Sequence, residues 1–142
     1  MRKSIYTILA VSALVFPITS CEKDKPLNEA IIGYWEVQTE QQIYYLENAK
    51  KFEYTYYFES GELAYEFTGA GSIINYSDGD VYGMTTFAIS GNEIIIEGGD
   101  TDFIWKEVSA DSKTLTWMET STEISGEITY DVEIIYTAVK AD

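Results

Sequence analysis

Apolar and polar residues alternate with a period of two along most of this 142-residue chain, and no other feature constrains the fold as strongly. The clearest case is residues 128–138, where Ile, Tyr, Val and Ala occupy one set of alternate positions and Thr, Asp and Glu most of the other. Successive side chains of a strand point to opposite faces of a sheet. The pattern therefore predicts a strand with one buried face.

The same alternation predicts further strands, and turn residues separate them. The strands lie near residues 33–40, 52–58, 65–67, 72–76, 82–90, 93–97, 102–109 and 113–120. Between successive runs stand pairs such as Asp78-Gly79 and Gly91-Asn92, whose residues accept the positive φ of tight hairpins. About nine short strands without a long helical pattern predict an all-β, antiparallel fold.

Two architectures accommodate such a sheet, and the periodicity favours neither. An up-and-down barrel of eight or nine strands has no exposed edges, whereas a sandwich keeps them. One segment departs from the alternation. Residues 41–51 place Ile43, Leu46 and Ala49 three residues apart, which predicts a short helix or a long loop after the first strand.

The N-terminus has the parts of a secretory signal peptide. Arg2 and Lys3 are basic, residues 5–16 are almost wholly apolar, and small residues precede Cys21. The apolar run is shorter than the about 20 residues that a helix needs to span a bilayer. We therefore expect residues 1–20 to be a cleaved signal peptide.

Cys21 is the only cysteine, so an intramolecular disulfide has no second partner. The stretch Ile18-Thr19-Ser20-Cys21 resembles the bacterial lipobox. The resemblance implies that the Cys21 thiol carries diacylglycerol and that Cys21 becomes the first residue after cleavage. Two or more buried acyl chains hold a protein on a membrane where one would not.

The residues after Cys21 indicate the domain organisation. Residues 21–29 are charged, contain Pro26 and lack an apolar period, so we expect a flexible tether. Residues 30–142 suffice for one domain. The lipobox resemblance implies a lipid anchor on Cys21 in a bacterial cell envelope. The acidic residues soon after Cys21 resemble surface-export signals of some Gram-negative lipoproteins, so we expect the outer membrane of a Gram-negative bacterium. The resemblance leaves open which face of the membrane the domain occupies.

The acidic composition limits the function classes. Without residues 1–20 the chain has seven lysines and 24 acidic residues, a formal charge of −17. Nucleic acids and anionic lipids are not expected partners, because both bind through Lys and Arg. With no His and its only thiol expected to carry lipid, the chain is not expected to be an enzyme or to hold a cofactor. Asp78 with Asp80, and Asp100 with Asp102, are weak Ca²⁺ candidates outside any EF-hand pattern.

The start of the predicted domain, AIIGYWEV at residues 30–37, resembles the Gly-x-Trp element of lipocalins and related calycins. Gly33 and Trp35 occupy the motif positions. Later stretches, YEFTGAGSIINY, TFAISGNEIIIEG, VSADSKTLTW and YDVEIIYTAV, are similar in order and spacing to the lipocalin-like domain of small Gram-negative lipoproteins. The resemblance implies a closed barrel with Trp35 plugging one end. Larger lipocalins often pack a basic residue near the chain end over this Trp. Only Lys140 is available here, so we expect a different cap.

Aromatic residues recur on the predicted inward face of the sheet. They are Trp35, Tyr54, Tyr56, Phe58, Tyr65, Phe67, Phe87, Tyr130 and Tyr136. An eight-stranded barrel is wide enough to be filled by side chains or to hold one small ligand. In the first hypothesis these residues bind a small apolar or amphipathic ligand without catalysis.

In the alternative hypothesis the barrel is filled and the exposed aromatic residues bind a glycan or a partner protein. Tyr34, Tyr44, Tyr45 and Tyr57 fall off the proposed inward face and would be available for this. A third possibility is a filled barrel with a role in envelope assembly.

Overall fold

The computed structural model describes residues 25–142, so the predicted signal peptide and Cys21 lie outside the described part of the chain. The elements of the described part are α1 (Leu27–Ala30), β1 (Gly33–Leu46), β2 (Ala49–Tyr57), β3 (Leu63–Phe67), β4 (Ser72–Ser77), β5 (Asp80–Ser90), β6 (Glu93–Ile96), β7 (Phe103–Ala110), β8 (Thr114–Ser125) and β9 (Ile128–Ala141). The helix begins within the segment predicted as a tether, and Leu27 packs against the core. Folded structure thus starts before residue 30.

The strands form a closed antiparallel barrel, which confirms the predicted barrel over the sandwich. From β3 to β9 each strand pairs with the next. β1 pairs along one edge with β9, from Tyr34 opposite Ala141 to Tyr45 opposite Asp131. The first part of its other edge pairs with β3. Eight strands close the ring, and β2 is a ninth strand outside it.

Four strands continue past one end of the ring. β3 stays paired with β1 only as far as Glu36, and from Thr39 onward β2 takes its place. Among the described residues β7 pairs with β8 only as far as Met118. The result is a four-stranded sheet in the order β2-β1-β9-β8. We call it the extension; it comprises β2, residues 39–46, residues 119–125 and residues 128–137.

The expectation of a helix or loop at residues 41–51 is wrong, and the short helix instead precedes β1. β1 continues to Leu46, and Glu47 and Asn48 turn the chain with φ values of 51° and 63°. Two successive residues with positive φ make the two-residue turn that suits a twisted hairpin. Residues 39–46 pair on both edges, with β2 and with β9. This pairing outweighs a weak three-residue spacing of apolar side chains.

An irregularity at Gln38 reverses the side-chain alternation of β1. Val37 lies opposite Ala138 of β9, but Thr39 lies opposite the adjacent residue of β9, so Gln38 is an extra residue. A bulge of this kind shifts every later side chain to the other face. Tyr44 is therefore on the inward face and only 4% exposed. Its expected position off that face is wrong.

The end of the barrel at the start of β1 is closed by α1 and Trp35. Trp35 is fully buried, and its indole N–H donates a 2.7 Å hydrogen bond to the carbonyl of Ile31. Lys140 Nζ lies 5.2 Å from the centroid of the Trp35 ring and donates to the carbonyl of Ile32 at 2.8 Å. The expectation of a different cap is wrong, because a basic side chain covers this Trp by a cation–π contact.

Gly33 meets two requirements at the entry to β1. Its φ of +132° is a conformation that side-chain-bearing residues rarely adopt. A Cβ atom here would also lie 2.6 Å from Lys140 Cε. The glycine therefore permits both the turn into the strand and the lysine cap.

Candidate ligand-binding face

The inner face of the extension is continuous with the interior of the barrel. Cross-strand partners share a face of a sheet. Across β2, β1 and β9 the rows on this face are Phe52–Tyr44–Val132, Tyr54–Gln42–Ile134 and Tyr56–Glu40–Tyr136. β8 extends the rows with Glu119 and Ser121 and places Glu123 opposite Tyr130.

Four rings pack together at the outer end of this face, and we call them the aromatic cluster: Tyr44, Phe52, Tyr54 and Tyr130. Tyr44 stacks on Phe52 with ring centroids 4.4 Å apart and lies 5.8 Å from the Tyr54 ring. Tyr130 meets Tyr44 and Phe52 edge-on, at 6.0 and 5.5 Å. Phe52 and Tyr54 stay 46% and 49% exposed. The cluster thus presents two half-open rings on a packed support.

Hydrogen bonds hold the aromatic cluster in place. The Tyr44 hydroxyl donates to the carboxylate of Glu123 at 2.7 Å and lies 3.1 Å from the Tyr54 hydroxyl. The Tyr54 hydroxyl donates to the amide oxygen of Gln42. The hydrogen bonds with Tyr54 and Glu123 raise the pKa of Tyr44. The Tyr44–Glu123 bond also joins β1 to β8 across the intervening β9.

Below the aromatic cluster, stacked rings fill the barrel. Trp105 and Trp117 stack with centroids 4.1 Å apart and planes 12° from parallel, and Trp117 stacks on Tyr136 at 4.9 Å. Tyr65 meets both indoles edge-on, at 5.0 and 5.8 Å. Both indoles are almost completely buried. At this level stacked aromatic side chains therefore occupy the interior of the barrel.

Between the stacked rings and the aromatic cluster lies the mouth of the barrel, which we define by Glu40, Tyr65, Asn75, Glu119 and Tyr136. Burial and, to a smaller extent, the charges of Glu119 and Glu40 together raise the pKa of Tyr65 to about 12. Burial, followed by the same two charges, also raises the pKa of Tyr136. The pKa of the Glu119 carboxyl is raised chiefly by burial, with a smaller contribution from Glu40. The two carboxylates and the two phenols therefore lie within electrostatic range of one another.

Asn75 adds a hydrogen-bond acceptor without a donor. It lies on β4 opposite Tyr65 of β3, so both side chains are on one face. Its Oδ1 is buried, and nothing in the described part of the chain donates to it. Leaving a buried acceptor unsatisfied costs about 1–3 kcal/mol. The mouth therefore favours a molecule that donates hydrogen bonds.

No protein-family model matches this chain, and no curated protein or solved structure does either. The lipocalin resemblance stays a prediction from the sequence. The function has to be inferred from the geometry of the site.

The nine residues predicted to line the barrel fall into two groups. Trp35 and Phe67 are fully buried in the core, and Phe58, Tyr65, Phe87 and Tyr136 pack against this core while partly buried. On the extension lie Tyr54, Tyr56 and Tyr130. Tyr65 and Tyr136 at the mouth adjoin the second group, so five of the nine border one face.

Three members of this face, Glu40, Tyr44 and Glu119, are not among the residues predicted from the alternation of the sequence. Glu40 and Tyr44 follow the bulge at Gln38, and no residue type at this point of the sequence indicates a bulge. Glu119 follows Trp117 by two residues in β8. Period-two alternation from the tryptophan could have placed it inward.

The Ca²⁺ candidates lie in exposed segments. Asp78 has a φ of 51° in the turn before Asp80, and Asp100 and Asp102 precede β7. Within residues 25–142, no three His, Cys, Asp or Glu side chains are grouped so as to hold a metal ion. The same residues include no helix with the length and apolarity to cross a bilayer.

Two open clefts lie outside the mouth and the aromatic cluster, and the second borders the inner face at Tyr56. One, of about 620 Å³, is on the opposite face of the extension, where the Tyr45 hydroxyl donates to Glu133 at 3.0 Å. The other, of about 580 Å³, lies beside the loop at residues 59–62 and the turn at Asp78. Their linings are rich in Ser, Thr, Asp and Glu, and neither contains the stacked rings of the inner face.

Proposed function

We propose that this protein is a non-catalytic binding module of the bacterial cell envelope that holds a glycan on the inner face of its extension. One observation carries the proposal: half-exposed rings and hydrogen-bond acceptors line a face that lies beyond a layer of stacked indoles. Phe52 and Tyr54 provide the open rings. The carboxylates of Glu123 and Glu40 provide acceptors beside them.

The chemistry of this face suits a sugar chain. Pyranose rings have apolar C–H faces that pack flat on aromatic rings, and their hydroxyls donate to carboxylate and amide oxygens. Tyr and Phe supply contact area at a low cost in conformational entropy. Side chains at i, i+2 and i+4 of β2 repeat about every 7 Å. Phe52, Tyr54 and Tyr56 therefore offer a row of contacts to an extended ligand.

The stacked indoles also favour a glycan over an apolar molecule enclosed in the barrel. Trp105 and Trp117 occupy the level that an enclosed ligand would need, and both are almost completely buried. Displacing them would cost several kcal/mol, because truncating a buried tryptophan alone costs about 3–5 kcal/mol. A small ligand therefore has its best access above the indoles, at the mouth.

Anchorage is the second part of the proposal, and it is supported by the lipobox resemblance at residues 18–21. The lipocalin resemblance gains support from the cap of Lys140 over Trp35. In a Gram-negative host we expect the protein in the outer-membrane fraction. Cys21→Ser should release it into a soluble fraction, and a variant that stays in the membrane fraction would rule out the lipid anchor.

A glycan array probed with the purified full-length protein tests the binding function. Tyr54→Ala should weaken binding to the best oligosaccharide at least about tenfold, because an open ring is lost from the centre of the row. Tyr82→Ala is the matched control, since Tyr82 is 80% exposed on β5, outside the extension. Absence of binding to every glycan, or equal effects of the two variants, would contradict the proposal.

A further inference from the structure

The two carboxylates at the mouth of the barrel have neutral hydrogen-bond donors but no positive charge beside them: the Gln42 amide donates to Glu40, and the Trp117 indole donates to Glu119. Glu40 and Glu119 are both close enough to raise the pKa of Tyr65. Asn75 Oδ1 is buried without a donor in the described structure. Its cross-strand neighbour is the same Tyr65.

The described lysines with assigned contacts are engaged elsewhere. Lys140 covers Trp35 at the opposite end of the barrel. Lys50 pairs with Glu53 at 2.7 Å, and Lys106 donates to Thr120 on the outside. No lysine is among the groups that shift the pKa of Tyr65, Tyr136 or Glu119. The carboxylates of the mouth therefore lack a cationic partner among residues 25–142.

The half-buried carboxyl of Glu119 is costly to keep ionised without a cation, since burial and the like charge of Glu40 both oppose its ionisation. The raised pKa of Glu119 agrees with this. A cation entering the mouth would relieve the repulsion and form charge-assisted hydrogen bonds. The surrounding rings add to the attraction, because aromatic faces bind ammonium groups.

We propose that the mouth of the barrel binds a protonated amine carried by the ligand, between the carboxylates of Glu40 and Glu119 and the amide oxygen of Asn75. The inference rests on the proposed binding function and adds a chemical class to it: the ligand is an amino sugar chain or another amine with an apolar or sugar body. An ammonium group suits this set better than a metal ion. It donates three hydrogen bonds and tolerates the aromatic walls, whereas a hard cation needs six or more oxygen ligands.

The test compares two probes of equal size that differ in charge, 2-phenylethylamine and 2-phenylethanol. Each is titrated into the full-length protein at neutral pH, with tryptophan fluorescence as the signal, since the Trp117 indole N–H donates to Glu119 at 3.3 Å. We expect the amine to bind at least about tenfold more tightly than the alcohol. Glu119→Gln and Glu40→Gln should each reduce this preference to less than about threefold.

The matched control is Glu127→Gln, which removes a carboxylate from the exposed turn between β8 and β9 and should keep the preference. Circular dichroism verifies that each variant is folded. If one of the two mouth variants does not fold, the other still tests the inference. Equal affinity for the probes, no measurable binding of the amine, or an unchanged preference in both mouth variants would overturn the inference.

A glycan-array result separates the two proposals. If oligosaccharides bind in a Tyr54-dependent manner but the amine preference is absent, the binding function stands and the amine inference fails. If no glycan binds but the amine preference follows Glu119, the glycan assignment fails and the amine site stands.

Discussion

Removal of the Tyr44 hydroxyl should destabilise the protein more than the same change at its neighbour, Tyr45. The two residues are consecutive in β1 and therefore point to opposite faces of the extension. Tyr44 is 4% exposed, and its hydroxyl donates to Glu123 at 2.7 Å. The Tyr45 hydroxyl donates to Glu133 at 3.0 Å on the outer face. Tyr44→Phe and Tyr45→Phe thus form a matched pair.

The expected magnitudes follow from the surroundings of each hydroxyl. A hydrogen bond to a charged group contributes about 1.5–3 kcal/mol, and a neutral one about 0.5–1.5 kcal/mol. Glu123 is exposed and regains water when its donor is lost, so we expect Tyr44→Phe to cost about 1–2 kcal/mol. Tyr45 and Glu133 are half-buried beside an open cleft, where water can replace the lost bond, so we expect Tyr45→Phe to cost less, about 0.5–1 kcal/mol.

Urea unfolding followed by tryptophan fluorescence measures both costs. Tyr44→Phe should lower the midpoint without changing the m value, because the exposed area of unfolding is the same. The corresponding fall in melting temperature is about 3–8 °C for a domain of this size. Equal costs, or a larger cost at Tyr45, would mean that β1 has no bulge at Gln38 and that Tyr44 does not face the aromatic cluster.

Three further predictions concern the mouth and the closed end. Burial raises the pKa of Glu119 in the folded chain, so the folded chain binds this proton more tightly than the unfolded chain does. The contribution of Glu119 to the free energy of unfolding therefore falls as the pH rises. The fall begins near the unfolded pKa of about 4.3 and continues through the raised folded pKa. Glu119→Gln should abolish that part of the fall and Glu127→Gln should not, as urea unfolding across this pH range will show. Gly33→Ala should cost about 1–3 kcal/mol through its positive φ, and Lys140→Ala in the same chain should not restore the loss. Lys140→Met should cost about 1 kcal/mol and alter the fluorescence of Trp35, measured by thermal unfolding and emission spectra.

Local patterns predicted the strands well where one face is buried and the partners are near in sequence. β9 keeps a single alternation from Ile128 to Ala138, and its hairpin with β8 turns at Gly126 with a φ of 65°. Turn chemistry and period-two alternation are local properties, so a single sequence contains them. Closure of the ring is different. β1 and β9 pair although most of the chain separates them in sequence. The periodicity alone therefore did not distinguish the barrel from the sandwich.

The candidate face was predicted only in part because one extra residue changes it. Without the bulge at Gln38, the alternation from Trp35 directs Glu40 and Tyr44 to the outside. The hairpin at Glu47 and Asn48 was missed for a different reason. Neither residue is the glycine that usually marks this type of turn. Tyr54, Tyr56 and Tyr130 share one face of the sheet, as the alternation predicts, but they lie on the extension, beyond the ring.

The most direct test of the account is a crystal structure of the full-length protein with the best oligosaccharide from the array. We expect sugar density stacked on Phe52 and Tyr54, with a polar or amino group directed into the mouth toward Glu119. Density in the cleft beside Tyr45, or inside the ring below Trp117, would contradict the central claim that the inner face of the extension is the binding site.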